Sequence, residues 1–158
     1  MIKLALDYKD KLTTKYRETW FKEKYKYYHN CYYEDIEIES STWYKLSFVS
    51  VDKDDNVIGY IGITIDRHIY SVDSLAAINF SDDIILFGKD LGQVLTNLFE
   101  EYNFNKIRFY VNVGNPIEKS YDKLIQRMGG RVVGTYKNQS KLYDNSLCDQ
   151  KHYEILRE

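Results

Sequence analysis

Between Leu86 and Gly130 the hydrophobic period of this chain changes twice, and few folds can use that change. Leu91, Val94, Leu95, Leu98, Phe99 and Tyr102 recur at the spacing of one helical face, which predicts a helix lying on a sheet. Ile107, Phe109, Val111 and Val113 then alternate with Arg108, Tyr110 and Asn112, so the period drops to two and a strand follows. Gly114, Asn115 and Pro116 stop it. From Ile117 the helical spacing returns through Tyr121, Leu124, Ile125 and Met128, and Gly129-Gly130 supplies a left-handed stop before a short β run, Arg131 to Tyr136.

Phe87 to Gln93 precedes most of that helical stripe and reads as a glycine-bearing loop opening the helix. Free N–H groups at such a place, with the positive end of the helix dipole, suit a phosphate or pyrophosphate. Gly88 and Gly92 let the backbone come close to a ligand, and Lys89 adds a cation. Asp90 and Gln93 have the spacing of a capping box, so Asp90 also reads as a helix cap, worth about 1 kcal/mol.

Upstream, Met1 to Tyr8 alternates weakly and can serve as a first strand. Lys9 to about His29 is rich in Lys and Tyr, with Leu12, Tyr16, Trp20 and Tyr27 roughly on one helical face. Cys31 to Thr42 has no clean period; Glu34, Asp35, Glu37 and Glu39 make it an acidic loop. Trp43 to Val51, Val57 to Asp66 and Val72 to Phe80 read as strands.

At 158 residues the chain has the length of a single domain, 1–158, and one core is expected. A formal charge of −2 gives no reason to expect nucleic-acid binding, although residues 1–28 carry +4 (eight Lys/Arg, four acids) and the remainder −6. Sixteen tyrosines are the compositional anomaly. Cys31 and Cys148 form no disulfide framework, the three histidines show no metal-ligand spacing, and no membrane-spanning stretch is present, so no metal and a cytoplasmic location are expected. A Cys148/His152 nucleophile pair in a late polar loop is the least expected chemistry.

The order of these parts, an antiparallel meander, a glycine-bearing loop entering a helix, a strand, an Asn-containing loop, a second helix ending in Gly-Gly and a final β pair, resembles the GCN5-related N-acetyltransferase (GNAT) superfamily from about Val57 onward. The run GNPIEKSYDKLIQRMGGRVVG, with Asp149 and Tyr153 near the end, is similar to small acetyltransferase-like proteins of bacteria and phages. The resemblance implies an α+β fold in α/β/α layers: a mixed, mostly antiparallel sheet, helices on both faces and a V-shaped splay between two central strands. It implies acetyl-CoA as cofactor, with the phosphates along Phe87, Gly88, Lys89, Asp90, Leu91, Gly92 and Gln93. The strand end Ile78-Asn79-Phe80 would present amides to the acetyl and pantetheine groups, and Asn115 would contact CoA. Tyr121 would protonate the departing thiolate, its position on the apolar face also fitting plain core packing. The acceptor would be an amine on a small molecule or protein, a cationic one if the acidic loop lies beside it. Against the family pattern, Phe87 stands for Gln/Arg and Asp90 for the first Gly, while Gly92 fits. No residue offers itself as general base. Two functions follow: an acetyl-CoA-dependent N-acetyltransferase, or an acyltransferase-like binding module, such as a phage accessory protein, that has lost the cofactor.

Overall fold

The computed structural model describes residues 1–28, 33–38 and 43–157. Seven strands form one sheet: β1 (Ile2–Leu4), β2 (Lys45–Val51), β3 (Val57–Asp66), β4 (Ser71–Asn79), β5 (Lys106–Asn112), β6 (Arg131–Lys141) and β7 (Leu147–Leu156), in the spatial order β1-β2-β3-β4-β5-β7-β6. Among the described residues three α-helices accompany it: α1 (Lys9–Arg17), α2 (Ile84–Glu100) and α3 (Glu118–Arg127). Every strand pair is antiparallel except β4 and β5.

That parallel pair meets only at Ser71↔Lys106 and Val72↔Ile107, whereas β5 and β7 stay in register from Lys106↔Leu156 to Asn112↔Gln150. Beyond Val72 the two central strands diverge. The sheet therefore consists of two arms joined at one end, which is the expected splay.

Each face of the sheet has its own core. On one face α2 contributes Phe87, Leu91, Val94, Leu95 and Leu98, and α3 contributes Tyr121 and Ile125, all against Ile61, Ile63, Leu75, Ala77, Phe109 and Val111. On the other face Ala5, Leu12 and Tyr25 cover Val49, Val51, Tyr60 and Ile78. Consecutive strand residues alternate between the two groups, as the pleat requires.

Several sequence expectations need correction. The α2 helix starts at Ile84, not at Leu91 behind an Asp90 cap, because Asp83 is its cap: the Asp83 carboxylate accepts from the Leu86 amide at 2.8 Å. Phe87, four residues before Leu91, extends the apolar stripe by a turn, and burying it outweighs the helix cost of Gly88 and Gly92, about 1 kcal/mol each. The first strand ends at Leu4 and Ala5–Tyr8 forms a 3-10 turn. The N-terminal helix ends at Arg17, followed by a left-handed Phe21 (φ 60°) and a 3-10 turn at Glu23–Tyr25. The final β pair is longer than expected, and Cys148 and His152 lie in β7 rather than in a loop.

Two glycines have steric roles. A Cβ on Gly59 would lie 2.3 Å from the Phe87 ring, so α2 sits on β3 by way of a missing side chain. Gly129 has φ 65° and the Gly130 amide returns to the Ile125 carbonyl at 2.9 Å, the expected stop of α3.

Candidate active site in the gap between the central strands

The gap is lined by backbone as well as side chains. The Phe80 amide donates to the Ile58 carbonyl at 2.8 Å, and the register runs on through Tyr60↔Ile78 and Gly62↔Ala76. Antiparallel bonding alternates, so the amides of Ile78 and Ala76 serve β3 while those of Leu75, Ala77 and Asn79 turn toward the gap. Of the expected trio Ile78, Asn79 and Phe80, only Asn79 thus offers its amide; the other two are used in holding β4 to β3.

A cavity of about 230 Å³ occupies the gap. Its walls include the consecutive residues Ser74 to Ile78 of β4 and Tyr110 to Asn112 of β5. Consecutive strand residues point to opposite faces, so the cavity passes through the sheet. Tyr121 and Ile117 close it on the α2/α3 side; Tyr16, Tyr27, Tyr28 and Tyr60 line it on the other. Among the described residues none of its lining side chains is charged. Burial pushes the Tyr16 phenol up to about 12 and raises those of Tyr28, Tyr60 and Tyr121, so these rings stay protonated at neutral pH.

Tyr121 is packed in the core and also faces the cavity. Its ring meets Phe109 edge to face (centroids 5.2 Å, 76°) and Tyr153 likewise (6.4 Å, 74°), a core role. It also lines the cavity, and among the described residues its hydroxyl has no hydrogen-bond partner. Asn115 is buried, and its Oδ1 accepts from the Ile117 amide at 3.2 Å. It stands where the cavity meets a second hollow, which lies beside the first turn of α2 and is lined by Lys24, Asn79, Ser81, Asp82 and Ile84.

The residues expected to cradle phosphates are elsewhere. Phe87 and Leu91 are in the core, and Gly88, Lys89, Asp90, Gly92 and Gln93 lie inside α2, where the backbone amides belong to the helix ladder. Asp90 is no cap: its carboxylate accepts from the Ser50 hydroxyl and from the Met1 amine at 2.9 Å. Gln93 donates to Asn97 at 2.6 Å rather than reaching back. The turn that does open α2 carries Asp82 and Asp83, with Lys24 paired to Asp82 at 2.9 Å.

On the tyrosine side the cavity adjoins a broad hollow that shares Ile36, Tyr60, Ser74 and Ala76 with it and includes Glu34, Asp35 and Glu37. Hydrogen bonds from Arg17 and Lys45 hold the Asp35 and Glu37 carboxyls below the usual carboxylate range. Glu39, His29 and Cys31 lie outside the described residues.

A polar network that the sequence did not suggest runs beside the gap. His152 Nε2 meets Gln150 Oε1 at 2.8 Å, Gln150 Nε2 donates to the Ser140 hydroxyl at 2.8 Å, and Ser140 donates to Asn112 Oδ1 at 2.7 Å. Asn112 Nδ2 in turn donates to the Tyr27 carbonyl at 3.0 Å. The signal was the alternation of Gln150, His152 and Glu154 on one strand face, which needed β7 to be recognised as a strand. Cys148 is no partner for His152: four residues along a strand separate them by about 13 Å, and its thiol donates to the Val113 carbonyl at 3.2 Å. Among the described residues no three His, Cys, Asp or Glu side chains converge as a metal site, and no helix is long and apolar enough to cross a membrane.

No protein-family model matches the chain, and none of the curated proteins does. Solved structures do. The ribosomal-protein-S5-alanine acetyltransferase of Vibrio fischeri superposes with a TM-score of 0.61 at 18% identity, over 72% of this chain and 62% of that enzyme, so the likeness leaves more than a third of the longer protein unmatched. The dodecameric spermidine N-acetyltransferase of Vibrio cholerae gives 0.62 at 21% identity, over 73% and 66%. The fold is that of the GNAT acetyltransferases, as the resemblance implied. Acetyl-CoA fits this chain at one end only. The gap has open amides and an uncharged wall suited to an acyl-pantetheine arm, whereas the start of α2 presents carboxylates where a diphosphate would emerge.

Proposed function

We propose that the protein is an N-acyltransferase that moves an acyl group from a thioester of the acetyl-CoA type to a primary amine. The observation that carries this reading is the cavity through the sheet, with the β4 amides turned into it and the Tyr121 hydroxyl on its wall. The Leu75 and Ala77 amides are the donors for a carbonyl oxygen placed in the gap, where they stabilise negative charge as it develops. The amine nitrogen bonds to the acyl carbon, the carbon–sulfur bond breaks, Tyr121 gives its proton to sulfur, and the amine proton leaves through water to restore the phenol. Among the described residues no charged base lines the cavity, so the amine must enter it uncharged; the hollow with Glu34, Asp35 and Glu37 is the side from which a cationic amine would be drawn.

The similar enzymes are named for an alanine of a ribosomal protein and for spermidine, which supports an amine on either a protein or a small molecule as acceptor. The Asn115 side chain, at the junction of the two hollows, would contact the donor arm. The setting this reading implies is the cytoplasm of a bacterium, with or without a phage. One observation favours the alternative of a binding module without catalysis: Asp82 and Asp83 at the start of α2.

The deciding experiment incubates the protein with acetyl-CoA or acetyl-pantetheine and a panel of primary amines, a polyamine and an N-terminal peptide among them, and follows thiol release. Amine-dependent release is expected. Absence of release with both thioesters, and of any rise in melting temperature with either, would leave the binding module.

A further inference from the structure

The first turn of α2 borders the hollow into which the gap opens, and its chemistry is unsuited to an anion. The Asp83 carboxylate takes the Leu86 amide at 2.8 Å, the Ser81 hydroxyl takes the Asp83 amide at 3.1 Å and the Asp82 carbonyl takes the Ile84 amide at 3.0 Å. Three of the donors that a helix start would offer to a phosphate are therefore already used by the chain itself. Lys24, the cation lining this hollow, is paired with Asp82. The remaining surface of the turn is apolar: Ile84 is 69% exposed and Ile85 82%. Gly88 and Gly92, where a Cβ would meet nothing within 4 Å, make no close approach to any described residue outside their own helix.

Resting on the acyl-transfer reading, we infer that the donor is gripped by its acyl-pantetheine end alone, and that Asp82 and Asp83 select against a diphosphate tail. The preferred donor class is an acyl thioester on an uncharged pantetheine-type arm. The arm enters beside Asn79, Asn115 and Ile117, and any diphosphate beyond it stays in solvent, facing two carboxylates.

Binding distinguishes this from a phosphate-gripping site by the sign of two responses. Titration calorimetry with CoA and with pantetheine, on the wild type and on the D82N/D83N variant, reads both. Asparagine keeps the helix cap while removing the charge, so the variant folds, which its melting curve checks. The expected results are that pantetheine binds within about threefold of CoA or more tightly, and that raising salt from about 0.05 to 0.5 M strengthens CoA binding by screening a repulsion. In D82N/D83N, CoA binding tightens by about threefold or more while pantetheine binding is unchanged. A CoA affinity more than about a hundredfold above that of pantetheine, as two charge-assisted hydrogen bonds to phosphate would give, or one that falls with salt, overturns the inference and leaves acyl transfer standing. Binding of neither probe overturns both.

Discussion

The Asn112 side-chain amide reaches the Tyr27 carbonyl at 3.0 Å, so the end of β5 holds the segment that carries Tyr27 and Tyr28 across the gap. Its oxygen is in turn fixed by Ser140, and through Gln150 the orientation extends to His152. Replacing Asn112 by Ala removes two hydrogen bonds and strands part of the network. A loss of about 1–3 kcal/mol is expected in urea denaturation. Amide exchange at Tyr28, whose N–H bonds the Tyr25 carbonyl, is expected to quicken with it. A variant as stable as the wild type, with Tyr28 equally protected, would show that the tie contributes nothing.

Gly59 and Phe87 form a steric pair. Gly59→Ala forces the Phe87 ring aside or lifts α2, and overpacking of this kind costs about 1–3 kcal/mol. In the Phe87→Leu background the same alanine is expected to cost less, and a double-mutant cycle measures the difference. Equal costs in the two backgrounds would mean that the ring is not what the alanine meets; the Ile78 carbonyl, 3.1 Å from the same Cβ, is the other contact.

Tyr121→Phe separates the two characters of that residue. Its ring packing survives, and its hydroxyl bonds nothing in the described chain, so stability is expected to change by less than about 0.5 kcal/mol. Under the proposed chemistry turnover falls by about a hundredfold, with little effect on donor binding. Undiminished turnover would return Tyr121 to the core alone.

His152 gives the fold a defined pH response. Burial lowers its pKa below the ordinary histidine value, so the unfolded chain binds the proton more readily than the folded one. Stability is then complete above the unfolded value, about 6.5, and declines as pH falls from there toward the folded value. Urea midpoints at about pH 7.5 and pH 5.5 read this window, which lies above the range where carboxylates titrate. His152→Gln is expected to flatten the difference; a variant that declines as steeply as the wild type would assign the response to other groups.

Much of the architecture was legible because periodicity reports burial directly. The stripe from Leu91 to Leu98, the alternation of Ile107, Phe109 and Val111, and the Gly129-Gly130 stop all appear where the sequence placed them. The start of α2 did not, because Ile84 and Ile85 face solvent and hide the amphipathic pattern, while Gly88 and Gly92 look like a loop. Tertiary burial of Phe87 decided against that local signal, although Asp83, three residues before Leu86, was a readable cap. β6 and β7 were underestimated for a related reason: β6 is exposed along almost its whole length, so it has no buried face to set a period. The tyrosines that line the cavity come from five separate segments. Composition announced their number, and only the folded chain shows Tyr16, Tyr28, Tyr60, Tyr110 and Tyr121 in one place.

A cavity that meets two separate hollows, one beside the first turn of α2 and one carrying Glu34, Asp35 and Glu37, admits two visitors at once, each by its own door. Under the proposed chemistry the acyl group can therefore travel straight from one guest to the other and need never be parked on the protein. Double-reciprocal plots at several fixed concentrations of the second reactant should then cross instead of running parallel, and neither compound need depart before the other arrives.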